Sequence, residues 1–68
     1  MKFIRLKEVI DRTGLARATI YKYMAEGEFP KSVSLGGRSV GWVESEVEAW
    51  IDSKIAARDG LILAHAEL

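Results

Sequence analysis

Residues 13–24, Thr13-Gly14-Leu15-Ala16-Arg17-Ala18-Thr19-Ile20-Tyr21-Lys22-Tyr23-Met24, decide the fold, because they read as the turn and second helix of a helix-turn-helix. Gly14 accepts a positive φ without steric cost, and Leu15 follows it at the point where a side chain drops between two helices. Leu15, Ile20, Tyr23 and Met24 then recur at the spacing of one helical face, which makes that face the buried one. The other face carries Arg17, Ala18, Tyr21, Lys22 and Ala25. Arg and Lys suit phosphates or guanine edges, a phenol reaches phosphate oxygens, and small residues permit close approach to a groove. An ordinary amphipathic helix with a solvated charged side is the alternative that this stretch alone leaves open.

Upstream, Leu6, Val9 and Ile10 fit one helical face, so a short first helix is expected from Leu6 to Arg12, ending before Gly14. Phe3 and Ile4 precede it as a brief extended lead-in, compatible with a short strand, that seals one end of the core. The second helix begins near Ala16 or Arg17, where Ala16 is a poor cap: a good one is worth about 1 kcal/mol. Gly27 is the residue expected to end it.

Downstream, Pro30 forces an extended chain, with Phe29 placed to plug the core. Lys31-Ser32-Val33-Ser34-Leu35 and Arg38-Ser39-Val40-Gly41-Trp42 both alternate, with Gly36-Gly37 between them, which predicts a β-hairpin. In that reading Val33, Leu35, Val40 and Trp42 point inward while Lys31 and the tip residue Arg38 are held outward. A ribbon after a helix-turn-helix is what a winged domain needs, and Arg38 then sits where a wing meets a phosphate or a narrow minor groove.

A third helix is expected from Val43, with Val47, Trp50, Ile51 and Ile55 as its apolar stripe, Ser45 and Glu48 at capping-box spacing, and Gly60 as its end. Trp42 and Trp50 are expected to be the heaviest core residues. Glu44, Glu46 and Glu48 read as a solvated helix start favoured by the dipole. The tail, Leu61 to Leu68, is apolar and short; packing on the body, a further helical turn and contact with a second subunit all fit it.

The chain's 68 residues set one small domain, here residues 1–60 plus the tail 61–68, and its 49% hydrophobic content supports a core. The fold class expected is α+β, mainly helical: a winged helix-turn-helix of three helices with a two-stranded hairpin wing. No cysteine supplies a disulfide or thiolate site, and His65 is the single histidine, so neither metal nor cofactor is expected. No signal-peptide block or membrane-length apolar run occurs, which makes a cytoplasmic protein the default.

The formal charge is zero, but it is unevenly spread. Residues 1–40 carry eight cations against four anions, +4, and residues 41–68 carry two against six, −4. A basic part facing DNA and an acidic part facing solvent is the expected arrangement. No Ser/His/Asp set, phosphate loop or dinucleotide fingerprint appears, so an enzyme is not expected.

The stretch RLKEVIDRTGLARATIYKYMAEGEFPKSVSLGGRSVGWVESEVEAWI, Arg5 to Ile51, resembles the AlpA family of phage-type regulatory proteins, related to small excisionases and to the DNA-binding part of MerR-type regulators. The features that carry the likeness are TGL-R-TIY, GEFP, the Gly-rich hairpin with GW, and EVEAW. The resemblance implies a winged helix-turn-helix that binds double-stranded DNA and acts on integrase transcription or on excision. It places Arg17, Thr19, Tyr21 and Lys22 on the recognition helix and Arg38 on the wing. Ala16 departs from the family's usual Ser, and Ala18 lacks a polar group. The DNA-binding set read from the chain is Arg17, Ala18, Thr19, Tyr21, Lys22, Lys31 and Arg38, with a homodimer or cooperative assembly on DNA as a further expectation. A protein-interaction adaptor on the same scaffold is the competing class, motivated by the zero net charge and the apolar tail.

Overall fold

The computed structural model describes the backbone of residues 2–67 and the side chains of residues 2–60. The chain runs β1 (Phe3–Ile4), α1 (Leu6–Thr13), α2 (Arg17–Ala25), β2 (Val33–Gly36), β3 (Ser39–Val43) and α3 (Glu44–Glu67). The lead-in strand pairs with β3, so the hairpin is part of a three-stranded antiparallel sheet in the order β1-β3-β2. The Glu44 N–H donates to the Lys2 carbonyl at 2.8 Å, which carries that edge of the sheet into the first turn of α3.

The helix-turn-helix forms as its sequence dictates. Gly14 adopts φ 73°, and its N–H donates to the Ile10 carbonyl at 2.8 Å. The Thr13 hydroxyl donates to the Val9 carbonyl at 2.8 Å and accepts the Leu15 N–H at 3.2 Å, so it ties the end of α1 to the turn. Gly27, at φ 74°, ends α2 in a Schellman arrangement: its N–H donates to the Met24 carbonyl and the Glu28 N–H to the Tyr23 carbonyl.

The core is a single cluster of Ile4, Val9, Ile20, Phe29, Trp42 and Val47, one or more from every element but β2. Leu6, Ile10, Leu15, Tyr23, Met24, Val40, Trp50 and Ile51 pack around it. Phe29 plugs the core as expected. Trp50 is a rim residue instead of a centre: it is half-buried, edge-on to Phe29 at 4.9 Å, with its indole N–H donating to the Glu28 carbonyl at 2.7 Å.

Several expectations are corrected. The hairpin's turn is Gly37-Arg38, not Gly36-Gly37, and Gly36 is the last residue of β2, opposite Ser39. Gly37 has φ 54° and Arg38 no positive φ, the sign pattern of a type II′ turn with glycine first. A regular ladder from that turn would pair Val33 with Trp42; instead an irregularity at Leu35 leaves Ser34 opposite Val40 and Val33 opposite Gly41. A turn one residue earlier would have paired Val33 with Val40. Moving the turn alone shifts the pairing by two and keeps the faces; the extra residue at Leu35 shifts it by one and so reverses the faces of β2, because side chains alternate with a period of two. Val33 and Leu35 consequently stand outside, 38% and 39% exposed, on the same sheet face as Phe3 at 43%. A Cβ added at Gly41 would meet Leu35 Cδ1 at 2.9 Å and the Ile4 carbonyl at 3.2 Å, so glycine lets Leu35 lie across that outer face.

In α3, Ser45 is the second helical residue rather than the cap, so the expected capping box is not how this helix starts. Gly60 does not end the helix, which continues to Glu67. Ile55 belongs to the expected apolar stripe but is 44% exposed, beyond the reach of the core. The packing of the Leu61 to Leu68 tail and the environment of His65 lie outside the residues whose side chains are described.

Candidate nucleic-acid interface

Burying Leu15, Ile20, Tyr23 and Met24 against the core leaves the remaining face of α2 outward: Arg17, Ala18, Tyr21, Lys22 and Ala25 are all exposed, and Thr19 is half-buried. The helix starts at Arg17 from Ala16 in an extended conformation, with no side-chain acceptor at its N-cap. Lys31 and Arg38 lie on the hairpin instead, Lys31 just ahead of β2 and Arg38 in the turn after it, and both are exposed.

Within this set the structure brings Arg17 and Tyr21 together. The Arg17 guanidinium carbon sits 5.8 Å from the centre of the Tyr21 ring, one helical turn on. Tyr21 in turn meets Trp42 of β3 edge-on, centroids 6.4 Å apart at 67°. Trp42 is fully buried, and its indole N–H donates to the Pro30 carbonyl at 3.1 Å. Sequence reasoning placed Trp42 in the core but missed this link between the outer face of α2 and the sheet. Its one signal is that a buried indole N–H needs an acceptor, which fixes the ring's orientation.

The acidic half is organised differently from a solvated helix start. Arg12 of α1 donates to Glu8 one turn away, to Glu44 of α3 at 2.8 Å and to Glu48 at 3.2 Å. These bonds, that to Glu8 foremost, hold the Arg12 guanidinium above its already high ordinary pKa despite the opposing effect of burial. Arg12 is thus a clamp between α1 and α3, and its charge is answered within the protein. Among the described residues no group of three His, Cys, Asp or Glu side chains is placed to hold a metal ion, and no pocket opens. No helix among them is long and apolar enough to cross a membrane.

A helix-turn-helix with an exposed basic and aromatic second helix, followed by a hairpin whose turn carries a cation, defines a winged helix-turn-helix domain. The chain belongs to the family described as Prophage CP4-57 regulatory protein (AlpA), which it matches over residues 2–55. It is 51% identical over 57 residues to the "Uncharacterized protein ORF88" of Enterobacteria phage P4, covering 84% of this chain and 65% of that one. It is 40% identical over 60 residues to the "DNA-binding transcriptional activator AlpA" of Escherichia coli (strain K12), covering 79% of this chain and 86% of that one. The chain thus spans just under two thirds of the phage P4 protein and most of the E. coli one.

Proposed function

We propose that this chain is a sequence-specific DNA-binding regulator of the phage or prophage type, working in the cytoplasm on the transcription of integrase or excision functions. The observation that carries this reading is the exposed face of α2, with Arg17, Tyr21 and Lys22 around Ala18 and Thr19. In the major groove Arg17 and Lys22 meet base edges or phosphates, Thr19 and Tyr21 offer hydroxyls, and Ala18 lets the backbone approach. Lys31 and Arg38 extend the contact along the hairpin. The DNA-binding unit is residues 1–60, and the apolar residues 61–68 are left to serve a homodimer or cooperative assembly on DNA. A relative whose name describes a DNA-binding activator supports the same reading.

Genome-wide recovery of DNA crosslinked to the protein tests this directly. Enrichment of a few defined sites near integrase or excision genes is the expected result; enrichment no better than an unrelated control overturns it. An excision factor acting on recombination is separated from a transcriptional regulator by whether the recovered sites are attachment sites or promoters. The exposed Phe3, Val33, Leu35 and Ile55 favour a second reading, an adaptor that binds protein. A DNA binder neutralising several phosphates loses affinity by orders of magnitude as salt rises, whereas an adaptor built on apolar contact does not.

Arg38 tests the wing. Its position at the second central residue of the turn makes no demand on its side chain, so Arg38→Ala leaves the hairpin folded and removes one cation. With a phosphate as its partner, affinity falls about equally on all sequences and the salt slope shrinks by about one unit. With a narrow minor groove as its partner, the loss is larger on A·T-rich flanks. Titration of two flanking sequences at several salt concentrations distinguishes these outcomes. Wild-type affinity and slope on both would leave the hairpin a purely structural element.

A further inference from the structure

We propose that Tyr21 is a positioning residue, whose ring, seated edge-on against the buried Trp42, holds the Arg17 guanidinium ready for the DNA contact assigned to it above. This rests on the DNA-binding reading and refines it: the aromatic ring of Tyr21, not its hydroxyl, is the part that matters most.

Three observations converge on it. Arg17 and Tyr21 are four residues apart on α2, where side chains lean toward the helix N-terminus, so the Tyr21 ring reaches back over the turn that carries Arg17. The guanidinium lies within the roughly 6 Å at which a cation is attracted to a ring face. The ring itself has a fixed seat, since Trp42 is fully buried and tethered through its indole N–H to the Pro30 carbonyl. A run of contacts from Pro30 through Trp42 and Tyr21 thus ends on a cation that would otherwise sample many rotamers in water. Arginine loses much side-chain freedom when it is immobilised by a ligand, and holding it beforehand removes part of that loss from the binding equilibrium. The same arrangement gives Arg17 its direction relative to the sheet, because Trp42 belongs to the strand that follows the hairpin turn. Tyr21 is 38% exposed and is not one of the core cluster, so its replacement leaves every core side chain in place.

The experiment uses the full chain, a random-sequence duplex pool and the single duplex most enriched from it. Tyr21→Ala is expected to weaken binding to the enriched duplex by about two- to tenfold, the scale of one pre-ordered rotamer-rich side chain, and Tyr21→Phe to restore most of that loss. In an Arg17→Ala background, Tyr21→Ala should cost little more. The Arg17 side-chain methylene protons of the free protein should be shifted upfield by the ring in wild type and Tyr21→Phe, and return toward exposed-arginine positions in Tyr21→Ala. If Tyr21→Phe loses as much as Tyr21→Ala, the hydroxyl is the working group and the proposal falls. It falls equally if Tyr21→Ala costs as much without Arg17 as with it, or if the Arg17 shifts ignore Tyr21→Ala. These results leave the DNA-binding reading intact, whereas a wild type that binds neither the pool nor any enriched duplex overturns both.

Discussion

Trp42→Ala is expected to leave the domain unfolded or close to it. Trp42 is fully buried, touches Tyr21 on α2, pairs beside Ile4 of β1, and answers its indole N–H with the Pro30 carbonyl. Truncating such a residue costs about 3–5 kcal/mol. Stability of roughly 0.05–0.15 kcal/mol per residue puts the whole reserve of so short a chain at about 3–10 kcal/mol. Trp50→Ala, at the rim, is expected to shift a denaturant melt clearly less than Trp42→Ala, while retaining a cooperative transition. The reverse order in the two melts would place the centre of the core at Phe29 and Trp50 instead of at the sheet.

The second large effect concerns binding. Arg17→Ala combined with Lys22→Ala is expected to abolish selective DNA binding while leaving the melt unchanged, since both side chains are exposed and neither belongs to the core cluster. A side chain on a phosphate removes about one unit from the salt slope when it is cut, evenly over sequences. One on a base edge removes about 1–3 kcal/mol of discrimination at its position. Titrating each single variant and the double against cognate and scrambled duplexes at several salt concentrations assigns each cation to one class. Unchanged binding in both single variants would show that α2 is not the reading helix.

What the chain disclosed in advance depended on how local its causes were. Gly14 and Gly27 marked the ends of α1 and α2, because a left-handed residue is a demand that few side chains meet. The exposed face of α2 was legible for the same reason, since 3.6-residue periodicity over nine residues has only one solution. The hairpin was legible as a hairpin, but its register was not. Two adjacent glycines allow the turn to sit at either of two positions, and the alternation carries no mark of the irregularity at Leu35 that shifts the pairing by one and inverts the face of β2. Gly60 misled because a glycine inside a helix costs only about 1 kcal/mol, which α3 absorbs. The Arg12 clamp joins residues 32 and 36 positions apart, beyond any spacing rule along one helix. Similarly, the seat of Tyr21 on Trp42 depends on how α2 settles against the sheet, which no local pattern encodes.

The long third helix divides the chain by persistence. Its first two turns place Glu44 and Glu48 on the Arg12 clamp and Val47 in the core, but from Asp52 to Gly60 every described side chain is exposed. Amides in the first part are backed by core packing as well as the helix ladder, whereas those of residues 52–60 have little besides the ladder, and a ladder with little packing opens more easily. Among the described residues the packed part of the fold therefore ends inside an unbroken helix, near Ile51. Substitutions on either side of that point carry different weight: in the packed turns they act on the core, and from residue 52 to 60 they act mainly through helix propensity and through local contacts such as that of Lys54 with the Trp50 ring.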